Sequence, residues 1–204
     1  MNLIEKKTDI SLGELHFFKE CGYVSIDTET TGLNYKLDRL CTIQLYAENC
    51  GIIIQFSKTE MFNNLKKLFL SDQVIKIFHN AVFDVSFLME NLNLNSFGLL
   101  VCTKISSKIV NGLAHNNTLK ALVSEYLGIQ ISKEERQSDW TQELLSESQK
   151  IYAINDVKYL YPLWNKLRNE LIENDKYAVA TNCFDFIPTY KVMTDMGIDN
   201  IFNY

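Results

Sequence analysis

The stretch YVSIDTETTGLNYKLDRLCTIQL, Tyr23–Leu45, decides the fold and carries the first candidate functional residues. Apolar residues alternate around Val24 and Ile26 up to Asp27, and Cys41–Tyr46 follows as a second strand-like segment, so both segments predict β-strands. Asp27 and Glu29 stand two residues apart at the end of the first strand. Because alternate residues of a strand point to one face, both carboxylates project to the same side. Taken alone, such a pair is better explained by a polar strand end beside solvent.

The remaining segments change from short apolar runs to helical periodicity along the chain. Short apolar runs predict strands, and apolar residues repeating every three or four positions predict helices. The predicted strands are Gly51–Phe56 and Val74–Phe78, and the predicted helices cover 62–69, 82–89, 119–126 and 149–173, with Asn117 or Thr118 as a helix cap and Pro162 at a kink or boundary. This order predicts an α/β fold, a mixed sheet flanked by helices, in a single domain over 1–204.

Composition and charge restrict the class of protein. With 204 residues, 47% of them hydrophobic, the chain can bury one full core. The net charge of −5 disfavours a protein that grips long nucleic acid through many phosphates, since such proteins are usually basic. It favours a short substrate, or metal ions that supply positive charge locally. The start, MNLIEKKTDI, has no apolar stretch typical of a signal peptide, and we expect a soluble cytoplasmic protein.

The five cysteines are odd in number and show no C-x-x-C spacing. This pattern disfavours both a structural zinc site and a disulfide framework. Most of them stand among apolar residues, so we expect buried free thiols.

Two further segments contribute acidic residues. Asp84 lies in KIFHNAVFDVSFLMENL, Lys76–Leu92, on a predicted helix that follows a buried strand. Burying an isolated carboxylate costs several kcal/mol unless it is paired or binds a metal, although a solvent-facing place on the helix is equally compatible. In QKIYAINDVKYLYPLW, residues 149–164, Tyr152 and Asp156 are four apart and therefore neighbours on one helical face.

Taken together, the four carboxylates and the tyrosine indicate two-metal phosphodiester hydrolysis. That chemistry needs several carboxylates around cations roughly 3.5–4 Å apart, which activate a water and stabilise the leaving oxygen. Carboxylate ligands suit Mg²⁺ or Mn²⁺, and no Cys/His spacing indicates zinc. A tyrosine hydroxyl has a pKa near ~10 in water, so it orients the attacking water rather than deprotonating it.

The motifs I-D-T-E-T-T-G-L, F-H-N-A-V-F-D and Y-A-I-N-D, in this order, resemble those of the DEDD exonuclease superfamily, which has a ribonuclease H-like fold. The tyrosine four residues before the last aspartate resembles the tyrosine subtype, since the histidine subtype carries histidine where this chain has Ile151. Ser138-Asp139-Trp140 is similar to the ribonuclease D branch. The stretches LDRLCTIQL, VCTKISSKIV, ISKEERQSDW and FDFIPTY are similar to the nanoRNase C group of short bacterial oligoribonucleases.

This resemblance implies a site, a cofactor and a substrate. Asp27, Glu29, Asp84 and Asp156 would hold two divalent cations, Mg²⁺ or Mn²⁺, and Tyr152 would position the attacking water. The substrate implied is short single-stranded RNA, especially dinucleotides, released as nucleoside 5′-monophosphates. The group implies a homo-oligomer, a ring-like octamer.

The resemblance also suggests residues that contact the substrate. Leu33 would wedge between the two bases, with a buried turn leucine as the alternative. His79 would contact the substrate, with a core histidine as an equally good alternative. Ser138 and Trp140 would anchor the loop that leads to Tyr152. Donors for the 5′-phosphate of a dinucleotide are expected from basic side chains, and the candidates are Lys104, Lys108, Arg136 and Arg39.

Other functions remain open on the sequence. A broader ribonuclease D-like enzyme that trims RNA 3′ ends, or a DNA exonuclease, would share the motifs, but the acidic balance disfavours long substrates. A catalytically silent binding module usually lacks one of the acids, whereas all four are present here. If the acids were only surface residues, divalent cations would not affect thermal stability.

Overall fold

The computed structural model describes residues 2–131, 138–198 and 201. A six-stranded sheet with the order β1-β4-β3-β2-β5-β6 is flanked by helices, which confirms the α/β prediction. The strands are β1 Asn2–Lys6, β2 Tyr23–Thr30, β3 Leu40–Ala47, β4 Cys50–Gln55, β5 Ile75–Phe78 and β6 Leu100–Cys102. The helices are α1 Leu12–Cys21, α2 Asn63–Leu70, α3 Ala81–Leu92, α4 Thr103–Asn111, α5 Leu119–Leu127, α6 Glu147–Lys158, α7 Leu160–Glu173 and α8 Tyr177–Asp195.

The centre of the sheet is the antiparallel pair β2–β3, and β2 also pairs in parallel with β5. All eight residues of β3 are buried. In the β2–β3 ladder Asp27 stands opposite Gln44 and Glu29 opposite Thr42, and the register shifts between Glu29 and Thr30. The pairing therefore becomes irregular directly after the two acids, as is common where a strand end carries functional side chains.

Helix α6 begins with a complete capping box. The Ser146 hydroxyl accepts a hydrogen bond from the Gln149 backbone N–H, and the Gln149 side chain accepts from the Ser146 N–H. The helix ends at Lys158, and α7 starts two residues later with Pro162 in its first turn, where a proline is tolerated. The segment 149–173 is thus two abutting helices, with the boundary near Pro162.

Helix α6 packs closely on the sheet because β4 has a glycine beneath it. A Cβ atom at Gly51 would lie 2.7 Å from Cδ1 of Ile154, a buried residue of α6. A side chain at position 51 would therefore have to displace Ile154 or the helix.

Several elements differ from the sequence-based expectations. The patterns indicated neither β1, β6 nor α1, and α8 continues through Pro188 in its interior. The cap of α5 is Thr118, whose hydroxyl accepts a hydrogen bond of 3.4 Å from the Ala121 N–H.

The expectation of mostly buried thiols was wrong. The cysteines are free, but only Cys41 and Cys102 are buried, while Cys21 and Cys50 are partly exposed and Cys183 is exposed. Cys183 lies on α8, where helical periodicity turns its side chain outward. Among the described residues, no helix has both the length and the apolar character needed to cross a membrane.

Candidate active site

Three of the predicted acids meet where β2 ends against α6. Asp27 and Glu29 extend from β2 and Asp156 from α6, and one carboxylate oxygen of each lies within 4.8 Å of the others. All three side chains are partly buried. Such close carboxylate oxygens repel one another unless a cation or a proton lies between them.

Asp84 joins this group from the first turn of α3. It is only 1% exposed, so the solvent-facing alternative is wrong. Its Oδ1 accepts a hydrogen bond of 2.6 Å from the Thr28 hydroxyl, and Thr28 lies between Asp27 and Glu29 on β2. Its Oδ2 is buried and has no hydrogen-bond partner among the described residues. An unsatisfied buried carboxylate oxygen beside other acids is the kind of atom that a metal ion satisfies.

Two of the acids, Asp27 and Asp84, hold protons more tightly than isolated carboxyl groups do. Burial raises the pKa of Asp27 well above its ordinary range, and the charges of Asp84, Asp156 and Glu29 raise it further. Burial raises the pKa of Asp84 to about 7, although the hydrogen bond from Thr28 opposes this shift. Divalent cations would offset the repulsion among these carboxylates by neutralising their charge. Carboxylate oxygens are hard ligands, which suit Mg²⁺ or Mn²⁺. The residues present therefore fit the cofactor that the motifs imply.

Tyr152 lies one helical turn before Asp156 and forms a side-chain hydrogen bond with it. Burial raises the pKa of Tyr152, and the negative charges of Asp156 and Glu29 raise it further. The hydroxyl therefore keeps its hydrogen at neutral pH and can donate it, as expected for a residue that orients a water.

The residues before α6 brace this part of the site. The Trp140 ring, buried at 4% exposure, lies 6.1 Å from the Tyr152 ring between centroids. The Gln149 amide donates to the Ser138 hydroxyl at 3.1 Å and to the Asp139 carbonyl at 2.9 Å. Ser138 and Trp140 thus contact the start of α6, the place where we expected them to act as anchors.

A cleft of about 240 Å³ opens over the acids. Its lining includes Asp27, Tyr152 and Asp156 together with two lysines, Lys104 and Lys120. The other lining residues are His79, Asn80, Thr118, Leu119 and Ile131. Negative and positive side chains therefore share one cavity, which suits a ligand with both phosphate groups and metal-bound oxygens.

His79 lies in the wall of this cleft. Its Nδ1 is 2.9 Å from the Thr103 hydroxyl, and burial together with the nearby Lys104 lowers its pKa to about 3. The ring is consequently neutral at physiological pH. This position is compatible with both alternatives for His79, contact with the substrate and a structural role in the core.

The structure distinguishes the other candidates for substrate contact by their exposure and by whether they line the cleft. Leu33 is 85% exposed, so the buried-leucine alternative is wrong. Lys104 lines the cleft, whereas Arg39 lines a different groove beside Trp140 and Lys108 lines neither. Arg136 lies outside the described residues.

Sequence reasoning missed three polar residues of the cleft: Asn80, Thr118 and Lys120. Asn80 directly follows His79 in the second motif, so its position next to a candidate residue was an available signal. Lys120 carried none, because only the packing of α5 against the rest of the fold brings it to the acids. Thr118 was identified solely as a helix cap.

Comparison with known proteins points in the same direction as the geometry. The profile of a family described as 3′-5′ exonuclease matches residues 12–172. The chain superposes on Brucella melitensis NrnC bound to pGG with a TM-score of 0.90 and 33% identity, covering 100% of this chain and 99% of that one. For the same protein with bound Mg²⁺ the TM-score is 0.87, with 33% identity and complete coverage of both chains.

The chain is also similar in sequence to part of several longer proteins. Ribonuclease D of Bartonella henselae is 28% identical over 179 residues, which make up 86% of this chain and 43% of the relative. The chain spans less than half the length of the curated relatives it matches. For DNA polymerase I of Aquifex aeolicus the matched part is 25% of that protein. The matched part is the segment that holds the three acidic motifs. The chain therefore belongs to the 3′-5′ exonuclease family of the DEDD type.

Proposed function

We propose that this protein is a metal-dependent 3′→5′ exoribonuclease that hydrolyses very short RNA, dinucleotides above all, to nucleoside 5′-monophosphates. The observation that carries the proposal is the convergence of Asp27, Glu29, Asp84 and Asp156 from β2, α3 and α6. Membership of the 3′-5′ exonuclease family supports the reaction type.

In this proposal the four acids hold two divalent cations, Mg²⁺ or Mn²⁺, and Tyr152 orients the attacking water by donating or accepting a hydrogen bond. When bound, the cations supply activation of that water and stabilisation of the charge on the leaving oxygen. Water attacks the phosphorus of the last phosphodiester, the bond from phosphorus to the 3′-oxygen breaks, and that oxygen takes up a proton. The products are a nucleoside 5′-monophosphate and an RNA one residue shorter, or two mononucleotides from a dinucleotide.

Three observations support a short substrate. The cleft is small and offers only two described lysines, Lys104 and Lys120, for phosphate groups. The net charge of −5 disfavours holding a long strand. The similar protein NrnC has been solved with pGG. We assign the 5′-phosphate of the substrate to Lys104 and Lys120, and insertion between the two bases to the exposed side chain of Leu33.

We further propose that the chain acts as a homo-oligomer, an octamer by its resemblance, in the cytoplasm. Exposed apolar side chains on α8 support association, because Val179 is 55% exposed and Phe186 and Val192 are each 38% exposed. Light scattering of the purified chain measures the assembly directly, and a monomer at all concentrations would contradict it.

The decisive test of the proposed function is a length series. Oligonucleotides from two to about ten residues, as RNA and as DNA, are hydrolysed with Mn²⁺, and kcat/KM is compared. We expect the highest value for the RNA dinucleotide and a clear decrease with length. Equal values along the series would favour a broader, ribonuclease D-like trimming enzyme, and a preference for DNA would favour a DNA exonuclease.

The matched control for this assay is Asp84→Asn, which removes one cation ligand while keeping the shape of the side chain. We expect hydrolysis of every substrate to fall by several orders of magnitude, because the bound cations supply the activated water and the charge stabilisation. A wild-type protein that binds RNA but hydrolyses none of the series would instead be a silent binding module.

A further inference from the structure

We infer that Thr42 and Gln44 on β3 are positioning residues that hold the carboxylates of Glu29 and Asp27 in the orientation required for cations. The inference rests on the proposed function and goes beyond it, since neither residue belongs to an acidic motif. The ladder places Gln44 opposite Asp27 and Thr42 opposite Glu29. Directly opposed residues of an antiparallel pair point to the same face, with Cβ atoms about 4.5–5.5 Å apart.

Both side chains are polar and completely buried at 0% exposure. Polar side chains at such positions are unusual in the middle of a sheet, where apolar residues pack more favourably. Between them on the same strand, Ile43 points to the other face and is equally buried. Within the segment Thr42–Gln44 of β3, the polar side chains therefore lie on the face that carries Asp27 and Glu29.

The two side chains bind each other and leave further hydrogen-bonding capacity. The Gln44 amide nitrogen donates to the Thr42 hydroxyl at 2.6 Å, while the Gln44 Oε1 has no partner among the described residues. The Thr42 hydroxyl accepts this bond, so its own hydrogen can be donated to the carboxylate of Glu29 opposite. A buried amide oxygen without a hydrogen-bond donor costs free energy unless another group donates to it.

If the amide is turned by 180°, which exchanges its oxygen and nitrogen, Gln44 rather than Thr42 supplies the available donor. The Thr42 hydroxyl then donates to the Gln44 carbonyl, and the amide hydrogens point to the remaining acceptors around Gln44. The residue opposite Gln44 is Asp27. With the amide as placed, the Thr42 hydroxyl hydrogen is available to Glu29 opposite, and with the amide turned, the Gln44 amide hydrogens are available to Asp27 opposite.

Such support has a clear physical benefit. Neighbouring carboxylates repel one another, and in addition to burial the charges of Asp84, Asp156 and Glu29 raise the pKa of Asp27. Donors fixed on the adjacent strand restrict how these side chains turn away from each other. Groups that orient metal ligands in this manner typically change metal affinity or activity by about 10–100-fold when they are removed.

The test compares three variants. Thr42→Val removes the hydroxyl at constant shape, Gln44→Met removes the amide at similar length, and Thr42→Ser retains the hydroxyl. We expect Mn²⁺ affinity, measured by calorimetry without substrate, to fall about 10-fold in Thr42→Val and Gln44→Met. We expect Thr42→Ser to bind Mn²⁺ nearly as the wild type does. The Mn²⁺ concentration for half-maximal hydrolysis should shift in parallel.

Ile43→Val is the matched control, because it alters the same buried strand on the opposite face. It should lower the midpoint of thermal unfolding and leave Mn²⁺ affinity unchanged. If Gln44→Met does not fold, Gln44→Asn retains the amide but withdraws it by one methylene and should also weaken Mn²⁺ binding.

Unchanged Mn²⁺ affinity in folded Thr42→Val and in the folded Gln44 variant would overturn the inference, as would an equal loss in Ile43→Val. A wild-type protein that binds no Mn²⁺ would overturn the proposed function as well. A wild type that binds Mn²⁺ but gives no hydrolysis would leave the positioning role to be judged by calorimetry alone, so the two failures are distinguishable.

Discussion

Individual acids contribute unequally to the behaviour of the metal-free protein. Asp84 is the most buried of them, and its pKa is raised to about 7 by burial. Below about pH 4 the carboxyl is protonated in both the folded and the unfolded chain, so folding does not bury a charge. As the pH rises above about 4, the unfolded chain loses this proton while the folded chain keeps it. The free energy of unfolding therefore decreases until the pH passes through about 7.

We therefore predict that Asp84→Asn flattens the pH dependence of stability between about pH 4 and 7. The free energy of unfolding, measured by urea denaturation in the presence of a chelator, should decrease with pH less steeply than in the wild type. Some decrease remains because the pKa of Asp27 is also raised. Asp185→Asn, on the exposed side of α8, is the control and should retain the wild-type slope. An identical slope in Asp84→Asn would refute the prediction.

Tyr152 provides a second prediction at this scale. Tyr152→Phe should reduce kcat by about 100-fold, within the range for a lost proton-handling or orienting group, while Mn²⁺ affinity persists because all four acids remain. Steady-state kinetics and calorimetry measure the two quantities separately. Tyr159→Phe, which removes a hydroxyl outside the cleft, should change neither. Unchanged kcat in Tyr152→Phe would remove this tyrosine from the mechanism.

The acids could be predicted from the sequence because their spacing is local. Asp27 and Glu29 share a strand face, and Tyr152 and Asp156 share a helix face, so each pair is visible in a few residues. Asp84 stood undecided between a buried and an exposed place, since burial depends on what packs against α3. Lys120 was invisible for the same reason, because no local pattern states that α5 reaches the cleft.

At the level of elements, α6 is important to the site because it carries both Tyr152 and Asp156. Its position depends on contacts at both ends: the capping box at Ser146 and Gln149, and the boundary with α7. Gln149 additionally binds Ser138 and the Asp139 carbonyl. The N-terminal turn of the helix is consequently linked to the loop that contains Trp140.

We predict that Ser146→Ala destabilises the protein by about 1 kcal/mol, the usual cost of losing such a cap. Turnover per folded molecule should remain near that of the wild type, since the reacting groups lie beyond the first turn of α6. Urea denaturation and kcat are the measurements, and Thr181→Ala, in the interior of α8, serves as a comparison without a cap. A loss of kcat as large as that of an acid variant would show that the cap also orients the site.

Elements with strong local patterns were predicted, and the others were not. The boundary between α6 and α7 was visible in Pro162, which lacks a backbone donor. Strand β1 reads NLIEK, with two charged residues in five, and β6 has only three residues, so neither shows a clear alternation. Helix α8 contains Pro188, which normally argues against a helix interior, and its contacts with the rest of the fold override that preference.

For the whole molecule, the cluster couples cation binding to folding. Its acids come from β2, α3 and α6, and no short segment of the unfolded chain brings them together. A ligand that binds only the folded state stabilises it by RT ln(1 + [L]/Kd). Cations held by these acids would therefore bind the folded chain selectively.

We predict that Mn²⁺ at about 100 times its Kd raises the free energy of unfolding by about 2.7 kcal/mol for each site filled, with a corresponding rise in Tm. Differential scanning calorimetry with Mn²⁺, and with KCl at the same ionic strength as the control, measures this effect. The double variant Asp27→Asn, Asp84→Asn should lose the response. No rise in the wild type would indicate that the acids hold no cation.

The glycine of β4 extends the active site to a position that no ligand would reach. Because Gly51 has no side chain, α6 rests directly on the sheet through Ile154, and this height sets how far Asp156 reaches toward β2. The size of the residue at position 51 thus sets the distance between α6 and the sheet, and with it the position of Asp156. Random mutagenesis screened for lost hydrolysis should recover changes there, in proteins that still fold and whose acids are all intact.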